Sequence, residues 1–447
     1  MEMIKLNQLL PRLLDEHKTM IRHAQEGQRY FENHNDIKGN GVANFYANDR
    51  AAELNPLKVA DNRLSHSWHN LLVNQKVAYC LSYPPILDLG NDSYNKELPV
   101  LLGDDWAKTI KDLGIDASNC GVAWLHLWVD DQGLLQLAPV DSKQIIPIYS
   151  SDLKKKLTGV IRYYSLVDEN GDSYLRYEYW DKDSVCFYQK RGEAGELRPE
   201  NIPNLGEKMV HPFGMVPFVP FYNNSNRKND LLLYKDLIDA YDKVFSGFNN
   251  DLDDVQEVLF VLTNYGGESK DDFVRDLKQH KVIKVDADGG VNTIRAEIPY
   301  EARKVFLEDT RKQIFISGMG VDPDPERFGN ASGVALKFLY SLLELKASML
   351  ETEFRIGFNA LVRLIAAFKG WQIGAIQQTW TRNAIQNDAE TAQIARDSAG
   401  TISEKTIVKN HPWVDDPEQE LADLEQERTA QQEDEYGNPL NSETGDD

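Results

Sequence analysis

Apolar residues change their spacing several times along this chain, and each change marks a new element. From about Leu6 to Phe31 they recur at helical period, and the run ends in the polar stretch Asn33-His34-Asn35-Asp36 followed by Gly39 and Gly41. A second helix is predicted from about Arg63 to Ser82, carried by Leu64, Trp68, Leu71, Leu72 and Tyr79, and Pro84-Pro85 stops it. A shorter one is expected from about Leu98 to Leu113, ending at Gly114. From Gly121 the period becomes two. Val122, Trp124, His126 and Trp128 alternate with Ala123, Leu125, Leu127 and Val129, and Asp131-Gln132-Gly133 supplies a turn before Leu134 to Val140. Val160 to Val167 and Tyr174 to Trp180 flank a second turn at Asp168-Glu169-Asn170-Gly171-Asp172, and Val185 to Gln189 continues the series. This antiparallel region closes with the proline-rich run from His211 to Phe221.

Helical spacing then returns. Asp230 is placed to cap a helix from Leu231 to about Leu262, with Tyr234, Ile238, Tyr241, Phe245, Phe248, Leu252, Val255 and Leu259 on one face. Thirty-two residues would make a rod of roughly 48 Å. After Asn264-Tyr265-Gly266-Gly267 comes a compact insert, with a helix around Asp271 to Gln279 and a hairpin from Val282 to Ile298 turning at Asp288-Gly289-Gly290. Pro299 suits the start of a helix running to about Ser317, which Gly318 and Gly320 break. A loop leads to a long helix from Ser332 to about Lys369. Its opening, Val334 to Leu343, has only Lys337 and Ser341 as polar interruptions, too many apolar positions for one buried stripe. Such a helix requires neighbours on several faces, inside its subunit and beyond it. A bilayer is excluded as that neighbour by Lys337, Glu344 and Lys346.

Charge narrows the classes. The chain has 447 residues, 71 acidic and 49 basic side chains, and a formal net charge of −22. A broad phosphate-neutralising footprint is therefore excluded. The surface is either simply a soluble acidic one or, more pointedly, a wall that repels a moving duplex. The acid concentrates at the C-terminal end, where Pro412 to Asp447 holds thirteen acidic residues and one basic one. Helix is expected there from Pro417 to about Gln432, and disorder beyond Tyr436. Cys80, Cys120 and Cys186 stand far apart and read as reduced thiols rather than a disulfide framework or zinc site. The acidic, amphipathic N-terminal stretch does not read as a signal peptide, and no run reaches eighteen apolar residues.

Candidate reaction chemistry is sparse. His66 and His69 stand three apart, a spacing that can hold a metal, but no partner ligand accompanies them and interface histidines are the plainer reading. Asp286, Asp288 and Glu297 occupy positions one, three and twelve of a calcium loop, yet Val291 stands where that loop needs glycine, so a hairpin is expected. Asp322, Asp324 and Glu326 are held extended by Pro323 and Pro325, in a loop that reads as solvated. No phosphate loop, dinucleotide fingerprint, nucleophile elbow or kinase signature occurs.

Several motifs, taken in order along the chain, carry a family resemblance. Asn62-Arg63 with the block Leu72 to Tyr79 is similar to the family's early helix, although Ser82-Tyr83-Pro84-Pro85 lacks its usual glycine. Gly121-Val122-Ala123-Trp124 and Gln144-Ile145-Ile146-Pro147-Ile148 resemble its β domain, and Pro212-Phe213-Gly214 through Asn223-Asn224 its approach to the stem. The strongest block is Phe328-Gly329-Asn330-Ala331-Ser332-Gly333-Val334-Ala335-Leu336-Lys337, followed by Thr401-Ile402-Ser403 with Pro412 to Pro417. In this order the motifs resemble the portal proteins of tailed bacteriophages, of the siphophage type.

That resemblance implies an α+β portal fold with a definite division of the chain. Residues 1–230 would form a wing, with its antiparallel β region at about 120–222. Stem helices would follow at 231–263 and 299–317, with a small α/β clip between them at 264–298. A tunnel loop at 318–331, a long channel helix with its return to the wing at 332–385, a helical crown at 386–435 and an acidic tail at 436–447 would complete it. The implied function is a ring of about twelve copies at one capsid vertex, closed by heterologous contacts. It would pass double-stranded DNA and dock a terminase motor, a head–tail adaptor, and the capsid and scaffolding proteins. The particle would be a virion component, assembled in the bacterial cytoplasm, without cofactor, metal, membrane or catalytic residue. Asp322, Asp324, Glu326 and Arg327 would face DNA from the tunnel loop, and Lys304, Glu308, Arg311 and Lys312 would line the stem, where salt bridges between subunits are the alternative. Val334, Leu336, Phe338, Leu339 and Leu342 would pack between subunits. Two other classes compete. A metal-dependent nuclease built on Asp322, Asp324 and Glu326 would show divalent-dependent cleavage lost on alanine substitution. A non-ring adaptor or capsid protein would stay a small oligomer.

Overall fold

The structure, a computed structural model, describes residues 3–39, 60–192, 195–203, 205–254, 259–263, 290–294, 299–323, 338–384, 388–409, 411, 414 and 417–436. It divides into two compact units, Met1–Asp322 with Leu342–Asn383, and Pro323–Ser341 with Ala384–Asp447.

In the larger unit α1 (Met3–Phe31) is followed by α2 (Trp68–Leu81), β1 (Ile86–Asp88), α3 (Asp92–Leu102) and α4 (Trp106–Cys120). Strands then run in succession: β2 (Val122–Val129), β3 (Leu135–Val140), β4 (Ile145–Tyr149), β5 (Leu157–Val167), β6 (Ser173–Trp180), β7 (Ser184–Lys190), β8 (Arg198–Pro199), β9 (Lys208–Val210) and β10 (Phe218–Tyr222). Next come α5 (Lys235–Asp254), β11 (Leu259–Thr263), β12 (Gly290–Ile294), α6 (Tyr300–Ser317), α7 (Ser341–Lys369) and β13 (Gln377–Thr379). This is an α+β molecule, with antiparallel pairing throughout its described sheets.

Period-two alternation sorts the β region into layers. A three-stranded sheet, β10-β2-β3, and a six-stranded sheet, β4-β5-β6-β7-β8 with β9 also on β7, pack face to face. Val122, Trp124, Val140 and Phe218 from the first meet Ile145, Val160, Trp180, Val185 and Phe187 from the second. The neighbouring residues Ile146, Ile161, Tyr177, Tyr179 and Tyr188 point to the opposite face and receive Leu6 and Leu10 of α1. Helix α1 also lies very close to α4. A Cβ on Gly27 would sit 2.1 Å from the Asn119 carbonyl oxygen. Gly27→Ala is therefore expected to force the two backbones apart and destabilise the protein by ~1–3 kcal/mol or more, read as a lowered urea midpoint.

The structure corrects four expectations about element boundaries. The expected helix at 63–82 begins only at Trp68. Residues 62, 64 and 66 instead run extended along α5, each backbone N–H meeting a side chain there: Asn62 to Asn250 Oδ1 at 2.6 Å, Leu64 to Ser246 Oγ at 3.0 Å, and His66 to Asp242 Oδ1 at 3.1 Å. Two residues of extended chain advance about 6.6 Å and four residues of helix about 6.0 Å, so the repeats match and the segment is held by tertiary bonds. The single helix expected at 98–113 is two, parted at Gly103 (φ 84°), and Gly114 lies within α4 because Leu81 and Val77 occupy the space beside it. The rod expected to reach Leu262 ends, as described, at Asp254, a length of roughly 30 Å. Its apolar continuation Leu259–Thr263 is a strand paired with Gly290–Ile294, and the first arm and turn of the insert hairpin expected at 282–298 lie outside the described residues. In the long helix a turn at Tyr340 precedes α7, and residues 331–337 lie outside the described residues.

The smaller unit holds α8 (Asp388–Asp397), α9 (Glu404–Lys409) and α10 (Pro417–Tyr436). The Arg428 guanidinium of α10 grips both Glu404 carboxylate oxygens. Apart from the half-buried Pro417, Leu421 and Leu424, the described positions of α10 up to Thr429 are exposed, as expected of a helix polar on nearly every side.

Candidate functional site

The expected channel elements converge on a buried charged joint in the larger unit. Helix α2 presents Leu72, Val73, Val77 and Cys80 inward, and Lys76 stands among them only 1% exposed. Its ammonium donates to Asp230 Oδ2 at 2.6 Å and to Asn223 Oδ1 at 2.7 Å. Lys346 of α7, 4% exposed, approaches the same carboxylate oxygen at 3.1 Å and donates to the Gly318 carbonyl at 2.8 Å. Asn223 donates to the other carboxylate oxygen at 2.8 Å. One aspartate thus joins two lysines from different helices just before α5 begins.

A second layer is neutral. The Tyr234 hydroxyl donates to His69 Nδ1 at 2.7 Å, which leaves Nε2–H to donate to Asn119 Oδ1 at 2.9 Å. Burial holds His69 down to about 4, so the ring stays uncharged beside the lysines. The pair of ammonium groups is balanced by the carboxylate and by the carbonyl end of α6, where the helix dipole is negative. Asp230 is accordingly held well below the usual carboxylate range by Lys346, Lys76 and Asn223, despite burial. Burial and the second ammonium bring Lys76 down to about 8.

A free lysine side chain titrates near ~10.4. Between about pH 8 and that value the unfolded chain binds more protons at this residue than the folded one. The stability difference between wild type and Lys76→Met should therefore shift in favour of wild type as pH rises through this window, measured by urea unfolding at stepped pH. A difference flat or falling with pH would contradict it.

The same joint fixes the root of the segment that follows α6. Gln75 donates to the Val321 carbonyl at 2.6 Å and accepts from the Val321 N–H at 3.1 Å. Gly318 and Gly320 lie against Leu72, where a Cβ would come within 2.6 and 2.3 Å of its methyl carbons. Met319 between them adopts the left-handed conformation, φ 51°, so the chain turns sharply off the helix end. Arg311 donates to Asp322 Oδ1 at 2.5 Å, and the Asp322 side chain is largely buried.

The residues singled out in the sequence fare differently. Arg311 and Asp322, expected to act separately in stem and tunnel loop, bind each other. Lys304 and Glu308 are exposed on α6, as is Lys312, which lies 3.5 Å from Asp309. Phe338 and Leu342 are exposed and Leu339 half-buried. Asp324, Glu326, Arg327, Val334, Leu336, Asp286, Asp288 and Glu297 lie outside the described residues. His66 and His69 do not act together: His66 Nδ1 meets Asp242 at 2.7 Å, whereas His69 belongs to the buried joint. Asp230 makes no capping bond. The joint itself escaped the sequence reading, although a lysine between Leu72 and Cys80 on an apolar face was its visible trace.

The charged groups of the joint are spent on one another and hidden from solvent, which makes it a structural bearing for α2, α5, α6 and α7. The chain belongs to the phage portal protein family of the SPP1 Gp6-like type, whose model matches residues 10–434. The portal protein of Clostridium phage phiCD119 is 42% identical over 414 residues, 88% of this chain and 90% of that one. The portal protein of Bacillus phage SPP1 is 33% identical over 456 residues, 98% of this chain and 90% of that one. A chain from the neck of a native GTA particle, computed with C12 symmetry, matches 83% of this chain and 95% of its own at 14% identity and a TM-score of 0.42, too slight a likeness to argue from. The protein is a phage portal protein and a structural component of the capsid vertex.

Proposed function

We propose that copies of this chain close into a ring of about twelve at the capsid vertex, and that double-stranded DNA passes through its centre during packaging and ejection. The observation that carries this reading is the surface of α7. Leu342, Leu345, Met349 and Ile356 form a row of exposed apolar side chains on one side of the helix, in a chain whose net charge is −22. A charged protein that leaves such a row bare reserves it for a partner.

In this ring residues 1–230 act as the wing, α5 and α6 as the stem, the insert 264–298 as the clip, and the unit containing α8, α9 and α10 as the crown. Lys304 and Glu308 become rings of alternating charge on the stem wall. Asp324, Glu326 and Arg327 stand in the tunnel loop, whose root is held by Gln75, Lys346 and the Arg311–Asp322 pair. Acidic rings keep the phosphates from adhering, and basic ones hold them briefly. The clip docks the terminase motor first and the head–tail adaptor afterwards, and the outer surface meets capsid and scaffolding proteins.

The test is native mass together with class averages of stained particles. A particle of roughly 610 or 660 kDa, twelve or thirteen times 50.9 kDa, with a central hole is expected. A monomer at every salt and protein concentration would overturn the proposal.

A further inference from the structure

Two helices of the larger unit carry uncovered ridges of the same geometry. On α7 the exposed positions Leu342, Leu345, Met349, Thr352 and Ile356 follow one another at steps of three and four residues. On α6 the exposed positions Ala302, Val305, Asp309, Lys312 and Ile316 do the same. This alternation is the seam of a coiled coil, and it selects a helix as partner rather than a loop or a sheet. Each ridge spans fifteen residues, fourteen helical steps or about 21 Å. Each helix is already seated on its far side, α6 through Thr310, Ile314 and Phe315 and α7 through Leu343, Ala347, Leu350 and Phe354.

The choice of partner follows from counting and symmetry. Among the described residues of this unit, α7 exposes four large apolar side chains, all on its ridge, and α6 exposes four, of which Val305 and Ile316 stand on its ridge; no other α-helix exposes more than one, with Leu9 on α1, Val100 on α3 and Leu252 on α5. If α7 paired with another α7, the contact would be two-fold and would stop at a dimer. A closed ring requires two different surfaces on every subunit that fit each other. We infer that the α7 seam of one subunit packs against the α6 ridge of its neighbour. The Asp309–Lys312 pair then lies across the middle of the contact, with Asp309 opposite Met349 in either helix direction, and this polar step in an apolar seam sets the register. The inference rests on the ring reading and adds which surfaces close it.

Disulfide trapping between two co-expressed, differently tagged chains tests it. Both carry Cys186→Ser, because Cys80 and Cys120 are buried and Cys186 is partly accessible. One chain has Val305→Cys or Lys312→Cys, the other Leu345→Cys or Thr352→Cys, all at exposed positions. Native mass is recorded before oxidation. Rings of full mass that yield mixed-tag dimers are expected. The parallel arrangement would trap 305 with 345 and 312 with 352; the antiparallel one would trap 305 with 352 and 312 with 345. Full-mass rings in which none of the four combinations cross-links would overturn the inference while leaving the ring intact. So would Leu345→Cys chains that cross-link with one another in such rings. Failure of wild type to form any ring would remove the ring reading, and this inference with it.

Discussion

Asp230→Ala is expected to destabilise the larger unit by ~3–5 kcal/mol, because it strands two buried ammonium groups around a missing counter-charge. Lys76 would keep Asn223 and Lys346 would keep the Gly318 carbonyl, but neither neutral group replaces a carboxylate at 2.6 and 3.1 Å. Four helices meet there, so the effect should appear as a lower cooperative transition of the whole unit rather than local fraying. A fall in Tm of roughly 10 °C is expected by differential scanning calorimetry. The direction with pH follows from the low position of Asp230. Its contribution is present above the ordinary carboxylate range and is lost as pH falls through the folded value, so wild type and variant should converge in strong acid. A compensating triple change, Lys76→Met with Asp230→Leu and Lys346→Met, should regain most of the loss, since a buried ion cluster is often replaceable by apolar side chains of similar size. An Asp230→Ala protein as stable as wild type at pH 7 would show that the joint holds nothing together.

Leu345→Asp and Ile356→Asp are expected to abolish the ring while sparing the subunit. Both side chains are exposed in the single chain, 55% and 61%, so the folding free energy should move by no more than ~0.5 kcal/mol. In an assembled seam each would become a desolvated carboxylate repeated at every subunit boundary. Native mass should fall from the full ring to 50.9 kDa with an unchanged far-ultraviolet spectrum. Leu153→Asp, on a fully exposed turn away from the seam, serves as the matched control and should assemble normally. Rings of full mass from both seam variants would show that α7 is not an interface. This outcome bears on the seam, and the Asp230 result bears on the joint, so the two experiments separate assembly from folding.

Much of this architecture is legible in the order of residues, and the failures share a cause. Period-two alternation from Val122 to Trp180 announces the strands because successive side chains must face opposite layers. Helical spacing announces α1 and α6 nearly to their ends, and the family motifs, spread from Asn62 to Pro417, carry the portal resemblance that the relatives bear out. By contrast, the segment before Trp68 has helical spacing but is drawn out along α5 by side chains some 180 residues away, at Asp242, Ser246 and Asn250. Leu259–Thr263 continues the apolar face of α5, yet pairs as a strand because Gly290–Ile294 offers it a ladder. Asp230 looks like a helix cap, and Lys76 and Lys346 like surface lysines, until three distant parts of the chain bring them within hydrogen-bond reach.

The sequence by itself determined the α+β class, the kinds and order of most elements, the acidic balance and the portal family, because these follow from local periodicity, composition and motif order. Only the tertiary structure decided where the helices stop, that Arg311 and Asp322 answer each other, that Asp230 joins Lys76 to Lys346, and which apolar residues are left bare on α6 and α7. The physical reason is burial: whether a lysine ends in water or beside a carboxylate, and whether a leucine is covered, depends on elements far away in the chain, which local spacing does not encode.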